Sequence, residues 1–386
     1  MRLAERMSQL GTETAFEVLA RAKALERQGR HIVHLEIGEP DFDTPAHIIE
    51  AVCQALHSGW THYGPSAGDP ELRETIAAHI SKSRGLPVSP EEVVVVPGAK
   101  PIIYWGLTAV VNPGDEVIYP NPGFPIYESM INFVGGRPVP VPLREENEFR
   151  LDAEELRALV TDATRMIILN SPQNPTGGVL TREDLEAVAQ VALERDLVVM
   201  TDEPYESILY EGTHHSIAAL EGMKERTILI DGFSKSFAMT GWRLGYGVMP
   251  ADLAAAVARL QTNCTSCTSA FTQRAGIAAL TGPMGPTLAM VAEFQRRRDV
   301  IVDGLNSLPG VSCLRPHGAF YVFPNITGTG IDCRTLAGRC LDDAGVAVLA
   351  GTAFGEYGEG YLRLSYANSV ENIQLAISRI AEMLAG

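Results

Sequence analysis

The stretch Asp231–Gly247, read DGFSKSFAMTGWRLGYG, holds a lysine and an arginine in a setting that could support chemistry. Lys235 follows the apolar run Thr227–Ile230, which predicts a buried parallel strand, and its neighbours are small. Ligands of open α/β sheets bind at the carboxyl ends of the strands. A partly desolvated lysine amine is neutral more often and can attack a carbonyl to form an imine, while Arg243 suits a phosphate. The alternative interpretation is a surface loop with two ordinary cations.

Other predicted strands also end in small or polar residues, and this pattern indicates a shared site. The turn Pro97-Gly98-Ala99-Lys100 lies between a strand and a helix, where backbone N–H groups can bind an anion, although its glycine spacing is not that of a Walker loop. Phe124 is suited either to the core or to stacking on a planar ligand. The residues at the five strand ends are Gly98, Phe124, Asn174, Asp202 and Lys235.

The order of predicted elements indicates the fold class. Strands and helices alternate from residue 92 to 230, and the strands are continuously apolar, which is typical of a mainly parallel sheet covered by helices on both faces. After about residue 275 the pattern changes to α+β. We therefore predict an N-terminal segment (1–45) that packs with the small domain, a large α/β domain (46–275) and a small C-terminal domain (276–386).

Two details of the C-terminal part give further expectations. The run Arg296-Arg297-Arg298 predicts a solvated helix face, and the alternation in YLRLSYANS predicts a half-exposed strand. Of the six cysteines, Cys264 and Cys267 form a CxxC. Without further ligands nearby this pair does not predict a zinc site, and we expect no metal and buried free thiols.

Composition narrows the class of protein. The 386 residues are 46% hydrophobic and 20% charged, which is ordinary for a globular enzyme, and the net charge of −16 argues against a nucleic-acid binder. No apolar run is long enough to span a bilayer, and the N-terminus lacks the apolar core of a signal peptide. We therefore expect a cytoplasmic protein that binds neither nucleic acid nor membrane.

Taken together, the motifs resemble the class I/II aminotransferases of the aspartate aminotransferase fold (fold type I), which depend on pyridoxal 5′-phosphate (PLP). The resemblance covers nearly the whole chain, and the motif order agrees. It implies a seven-stranded-type, mainly parallel sheet with a smaller α+β domain. The motifs are IGEPDFDTP, YGPSAG, SPQNPTGG, DEPY, SKSFAMTGWRLGY and YLRLSYANS.

The resemblance also implies roles for individual residues. Lys235 matches the lysine that forms the Schiff base with PLP, and Asp202 matches the carboxylate at the pyridine nitrogen. Tyr205 and Asn174 match the groups that bind the phenolic oxygen of the ring. The remaining matches are Arg243, Ser234, Gly98, Ala99 and Lys100 near the phosphate, Tyr63 reaching it across a dimer interface, Phe124 and Pro204 on the ring faces, and Gly38, Asn174 and Arg363 at the substrate carboxylate.

The chain departs from the family pattern at one position and leaves the substrate open at another. Many relatives have a serine where this chain has Gly232, so that Ser234 or a water would take over as phosphate ligand. Lys100 resembles a lysine that some bacterial members use for the distal carboxylate of the substrate, which favours aspartate or glutamate with 2-oxoglutarate.

The implied activity is a ping-pong transfer of an amino group from an L-amino acid to a 2-oxo acid by a homodimer. Two alternatives stay open at this point. Another fold-type-I PLP enzyme, such as a carbon–sulfur β-lyase or a cyclopropane-forming synthase, could use the same residues. A regulatory protein that binds PLP belongs to a different class, and such proteins usually carry an added DNA-binding domain.

Overall fold

Seven strands form the central sheet of the computed structural model, which describes residues 2–386. Their spatial order is β2-β8-β7-β6-β5-β3-β4, and all run parallel except β8, which is antiparallel to both of its neighbours. The predicted mainly parallel sheet is therefore confirmed. The strands are β2 (Val93–Val96), β3 (Glu116–Asn121), β4 (Arg137–Pro142), β5 (Thr164–Asn170), β6 (Val198–Asp202), β7 (Thr227–Gly232) and β8 (Gly245–Val248).

Two strands of this sheet, β4 and β8, were not predicted, because their sequences lack the usual strand pattern. β4 reads RPVPVP, and proline cannot donate to a ladder, so this strand is tolerated only at the edge of the sheet. β8 reads GYGV. A Cβ at Gly245 would lie 2.5 Å from the backbone nitrogen of Ala99, so glycine allows the turn before the helix at Lys100 to pack directly on β8.

Helices cover both faces of the sheet, and their apolar faces form separate cores on its two sides. The side chains of the four valines of β2 are fully buried, as expected for a strand with helices on both faces. These helices are α2 (Ala46–His57), α3 (Pro70–Arg84), α4 (Lys100–Val110), α5 (Ile126–Phe133), α6 (Ala153–Leu159), α7 (Arg182–Glu194), α8 (Ala251–Cys264) and α9 (Ala270–Thr281).

The first and last parts of the chain are joined through hydrogen-bonded strands. β1 (Val33–His34) pairs in parallel with β10 (Val346–Ala347), and β12 lies between β11 and β9 in a three-stranded antiparallel sheet. The other elements are α1 (Thr14–Arg27), α10 (Gly285–Asn306), β9 (Tyr321–Val322), α11 (Cys333–Asp342), β11 (Leu349–Ala350), β12 (Leu362–Ser365) and α12 (Val370–Ala385).

The structure corrects two expectations about exposure in this part. Only Arg296 lies on a solvated face, because Arg297 pairs with Asp41 at 2.6 Å and Arg298 with Glu211 at 3.0 Å, both guanidinium groups being almost fully buried. Every residue of β12 is buried, and its Arg363 lines a cavity of the protein rather than facing bulk solvent.

A third correction concerns the cysteines. All six are free, but only Cys313, Cys333 and Cys340 are buried, whereas Cys53 and Cys264 are exposed.

In residues 2–386 no single helix is long and apolar enough to cross a membrane. One pair of helices, α9 and α10, has the necessary length and apolar composition when taken together, but the two helices are bent by 76° relative to each other.

Candidate active site

A cavity of about 520 Å³ opens at the carboxyl ends of β5, β6 and β7, between the central sheet and the C-terminal part of the chain. It brings together residues that are far apart in sequence. Gly98 lies next to it, directly under the guanidinium group of Arg243, whereas Tyr63 lies elsewhere on the surface. The predicted site residues that line the cavity are Gly38, Ala99, Lys100, Phe124, Asn174, Asp202, Pro204, Tyr205, Ser234, Lys235, Arg243 and Arg363.

β7 ends at Gly232, shortly before Lys235. The end of this strand therefore delivers the Lys235 side chain to the cavity. Its amine donates a 2.5 Å hydrogen bond to the carbonyl oxygen of Gly38 and lies 5.8 Å from the ring centre of Tyr205. Desolvation is the main reason that the pKa of Lys235 is lowered to about 8; the charge of Arg363 acts in the same direction, and that of Glu39 acts against it. Near neutral pH a much larger fraction of this amine than of an ordinary lysine is therefore neutral and nucleophilic.

Asp202 is the last residue of β6, and it is buried with its carboxylate at the cavity wall. The hydroxyl of Tyr127 donates a 2.6 Å hydrogen bond to its Oδ2, and Asn170 on β5 donates to its backbone oxygen at 2.8 Å. Burial raises the pKa of Asp202 to about 6, although the Tyr127 hydrogen bond opposes this shift. Near neutral pH the group is a buried carboxylate suited to holding a cationic N–H.

Tyr205 and Asn174 line the same cavity as this carboxylate. The hydroxyl of Tyr205 is 2.8 Å from that of Tyr321, and burial raises the pKa of Tyr205 well above its ordinary value. The backbone N–H of Asn174 donates to Oδ1 of Asn170 at 2.9 Å. The side-chain oxygen of Asn174 is buried and has no hydrogen-bond partner among residues 2–386. The amide of Asn174 therefore has a polar atom that remains available to a ligand.

The turn before α4 forms the anion-binding end of the cavity. α4 begins at Lys100, so this turn lies at the N-terminus of a helix. The N–H groups at such an end have no partner within the helix, and negative charge is favoured there. Gly98 has φ +80°, and a Cβ there would overlap the guanidinium group of Arg243. Arg243 is exposed, and its Nη1 donates to the carbonyl of Thr240 at 2.8 Å. Gly232 also lines the cavity.

Arg363 lies on β12 and is 3% exposed. One of its amino groups donates to the carbonyl oxygen of Glu36, and its guanidinium carbon lies 4.7 Å from the ring centre of Tyr321 and 5.2 Å from that of Phe354. Its Nε is buried without a partner in the described chain. Arg363 thus keeps an N–H group without a partner, and the planar guanidinium group is suited to binding a carboxylate through two parallel hydrogen bonds.

Lys100 also lines the cavity. Its ammonium group pairs with the carboxylate of Glu13 and lies 5.2 Å from the ring centre of Phe124. The ring of Phe124 packs edge to face on Tyr127, with 5.8 Å between the ring centres. Glu13 immediately precedes α1 and lines the cavity.

A buried cluster of charges lies beneath the site. Arg84 on α3 donates to Glu203 at 3.0 Å and to Asp231 at 2.7 Å, and it pairs with Glu206 at 3.1 Å. Although burial opposes the shift, His214 and Arg84 lower the pKa of Glu203 to about 2. Since Glu203 follows Asp202 and Asp231 is on the strand before Lys235, Arg84 connects the two strand ends that carry these residues.

Sequence reasoning missed several residues of the site. The partners Tyr127, Asn170 and Tyr321 hold predicted residues in place, and Glu13 faces Lys100. Two of them carried a usable signal, because Asn170 ends a predicted strand and Tyr127 belongs to the motif NPGFPIY. Neither Glu13 nor Tyr321 carries such a signal.

Comparison with known proteins gives a consistent result. The family described as aminotransferase class I and II matches residues 30–380. The chain is 44% identical to an aspartate aminotransferase of Pyrococcus abyssi over 359 residues, which cover 92% of each chain.

Two solved structures are similarly close. One is the aspartate aminotransferase of Thermus thermophilus with maleate (TM-score 0.95, 40% identity, 99% of this chain and 100% of that chain). The other is an aromatic aminotransferase from Pyrococcus horikoshii OT3 (TM-score 0.90, 43% identity, 95% of this chain and 98% of that chain).

Proposed function

The chain belongs to the class I and II aminotransferase family, and from this premise we propose that its preferred substrates are the acidic amino acids aspartate and glutamate with their 2-oxo acids. The chain is a PLP-dependent transaminase, which transfers an amino group from an L-amino acid to a 2-oxo acid. One observation carries the substrate proposal: a single cavity has the cations Arg363 and Lys100 among its lining residues. The other two cations that line the cavity, Lys235 and Arg243, are assigned to the cofactor. Arg363 and Lys100 therefore remain for the substrate, and two cations suit a substrate with two carboxylates.

The residues of the cavity fit PLP. Lys235 is a partly neutral amine, and Asp202 is a buried carboxylate that can hold a protonated ring nitrogen. The unpartnered oxygen atom of the Asn174 side chain belongs to an amide that would bind the phenolic oxygen through its NH₂ group. These features support the roles that the sequence predicts for the three residues.

The phosphate would be held by the turn Gly98-Ala99-Lys100 together with Arg243. Gly98 and Arg243 are already in contact, and the turn opens α4. At Gly232 a Cβ would lie 3.1 Å from the Cα of Gly245, which leaves little room for a serine; we propose Ser234 as the hydroxyl ligand. Phe124 and Pro204 would contact the two faces of the ring.

When bound, PLP supplies an electron-withdrawing ring that stabilises negative charge at the substrate Cα. Lys235 would act as the base that takes the proton from that carbon and holds it at its Nζ, because its lowered pKa makes the neutral amine accessible near physiological pH. Asp202 would hold the protonated ring nitrogen. Tyr205 would donate to the phenolic oxygen, since burial keeps its hydroxyl protonated.

Arg363 would hold the α-carboxylate of the substrate, with Gly38 and Asn174 beside it. The guanidinium group is already oriented by the carbonyl of Glu36 and by two aromatic rings, so little freedom is lost when the carboxylate binds. Fixed orientation of the Cα–H bond relative to the ring can supply several kcal/mol of the lowering of the barrier.

We further propose a cytoplasmic homodimer and the division into segments 1–45, 46–275 and 276–386. Tyr63 exposes about 90% of its surface, in keeping with a side chain that would reach the phosphate site of a partner subunit. Since the relatives compared above are aminotransferases, transamination is favoured over a lyase or a regulatory role.

A donor panel tests the substrate proposal. Aspartate with 2-oxoglutarate as acceptor, and glutamate with oxaloacetate as acceptor, should give higher kcat/KM than alanine, phenylalanine or arginine with 2-oxoglutarate. Lys235→Ala should abolish both the visible absorption of the lysine-bound cofactor and the turnover. A preference for an uncharged or basic donor would contradict the substrate proposal, and turnover by Lys235→Ala would contradict the assignment of the base.

A further inference from the structure

The ammonium group of Lys100 is already paired within the chain. The carboxylate of Glu13 is paired with the ammonium group of Lys100, and the two side chains are only partly exposed, 25% and 42%. Glu13 precedes α1 and Lys100 begins α4, so that the pair connects the N-terminal segment to the large sheet domain across the cavity. A carboxylate of the chain thus occupies the position that the distal carboxylate of a substrate would need.

This arrangement has different consequences for different substrates. A dicarboxylate can replace Glu13 on Lys100, because one carboxylate is exchanged for another and a partly exposed ion pair is weak. A substrate with an uncharged side chain has no carboxylate that could bind Lys100, so the ion pair between Glu13 and Lys100 stays intact. The closed pair is neutral as a whole, and it lies beside apolar lining residues, namely Phe16, Ile103, Phe124, Leu349 and Phe354.

We propose that Glu13 is a specificity-determining residue, and that the pair Glu13–Lys100 acts as a displaceable latch. The ion pair stays formed when the substrate has an apolar side chain, and it breaks when the distal carboxylate of a substrate replaces Glu13 as the partner of Lys100. One cavity thereby accepts both classes of substrate, at the cost of weaker binding of dicarboxylates. The latch rests on the proposed function, because it assigns Lys100 to the distal carboxylate.

Other charges face the same space and must be separated from the latch. Burial lowers the pKa of Arg363 and of Lys235, and the negative charge of Glu13 is close enough to oppose both shifts. Removal of Glu13 would therefore strengthen the binding of any anion somewhat. An effect of the latch itself must in addition depend on Lys100 and on a second carboxylate in the ligand.

A binding experiment with the PLP-loaded enzyme makes this separation. The probes are maleate, a dicarboxylate that cannot react, and 3-phenylpropionate, which has a single carboxylate and an apolar end; calorimetry gives their dissociation constants. The variants are Glu13→Gln, Lys100→Met and the double variant. Glu17→Gln is the matched control, since Glu17 is exposed on the next turn of the same helix.

Glu13→Gln should tighten maleate binding by about two- to fivefold, the range expected for an exposed ion pair, and change 3-phenylpropionate binding much less. In the Lys100→Met background the same substitution should have no such effect, and Glu17→Gln should alter neither probe. An unchanged affinity of Glu13→Gln for maleate, or a gain that persists without Lys100, would overturn the latch.

Failure of the proposed function would be recognised separately. If the unsubstituted enzyme does not turn over aspartate or glutamate, the substrate proposal is wrong, whatever the four variants show. The comparison with maleate measures only the coupling between Glu13 and Lys100 and reports on the latch alone.

Discussion

The hydroxyl of Tyr127 donates a 2.6 Å hydrogen bond to Oδ2 of Asp202, and both groups are buried. The carboxylate that we assign to the ring nitrogen of the cofactor is therefore oriented by a residue on α5, far from it in sequence. This hydrogen bond also limits the rise in the pKa of Asp202 that burial causes. Several experiments follow from this contact and from others around the site.

Tyr127→Phe should raise the pKa of Asp202 above its value of about 6, because the substitution removes a hydrogen bond to the charged form. A hydrogen bond to a charged group contributes about 1.5–3 kcal/mol, which corresponds to about one to two pH units. In protein prepared without cofactor, the loss of PLP affinity on acidification should begin at correspondingly higher pH. Tyr119→Phe is the control, since its hydroxyl contacts Glu128. An unchanged pH profile for Tyr127→Phe would contradict the prediction.

Asp202→Ala should weaken PLP binding, but with PLP in excess the variant should still be loaded with it. Its kcat should fall by about 10²–10³-fold, the size observed when one preorganised electrostatic contact to a transition state is removed. Asp202→Asn keeps the shape and loses the charge, so it should be impaired to a similar degree. Absorption spectra report the bound cofactor, and steady-state kinetics report kcat. Near-normal activity in Asp202→Asn would show that the negative charge is not required.

Uptake of PLP by the cofactor-free protein should follow the ionisation of Lys235. Its pKa is lowered to about 8, and only the neutral amine attacks an aldehyde. Below that pH the second-order rate constant should rise about tenfold per pH unit, and it should level off above about 8, whereas an ordinary lysine in a peptide levels off near 10.4. Stopped-flow absorbance measures the rate. A rise that continues to the pH of the reference peptide would contradict the lowered pKa.

Lys100→Ser should raise KM for aspartate and glutamate more than for alanine, because only the acidic substrates carry a distal carboxylate. Loss of one partly exposed charge contact of about 1 kcal/mol corresponds to about fivefold. Equal damage to all three substrates would mean that Lys100 serves the phosphate turn instead. The affinity for PLP, measured in parallel, separates these two roles.

Arg84→Met should lower the free energy of unfolding by about 3–5 kcal/mol, because Glu203 and Asp231 would be buried without their cation. Lys82→Met, at an exposed position of the same helix, is the control. The pKa of Glu203 is lowered in the folded protein from 4.5 to about 2, so its contribution to stability is present above pH 4.5 and is lost as the pH falls towards 2. Denaturant unfolding at several pH values should therefore show the difference between the variants shrinking in acid. A difference of less than 1 kcal/mol at neutral pH would contradict the assigned role of the cluster.

The sequence by itself determined most of the central sheet with its covering helices, and the residue types of the site. Continuous apolar runs such as Val93–Val96 can only be buried with helices on both faces, and the polar residues that follow such strands must then meet at one edge of the sheet. Local chemistry was enough to place Lys235, Asp202 and Asn174 in one cavity. It failed for β4 and β8, since their alternating prolines and glycines hide the strand pattern.

Only the tertiary structure decided which groups face one another. The contacts Tyr127–Asp202, Tyr205–Tyr321 and Glu13–Lys100 join residues 75, 116 and 87 positions apart, and no local pattern encodes such pairs. The same holds for burial, because Arg297 and the polar face of β12 are enclosed by elements from other parts of the chain. The pattern of apolar and polar residues indicates which face of one helix or strand is buried. The pKa values and ion pairs depend on which residues of other elements pack against that face.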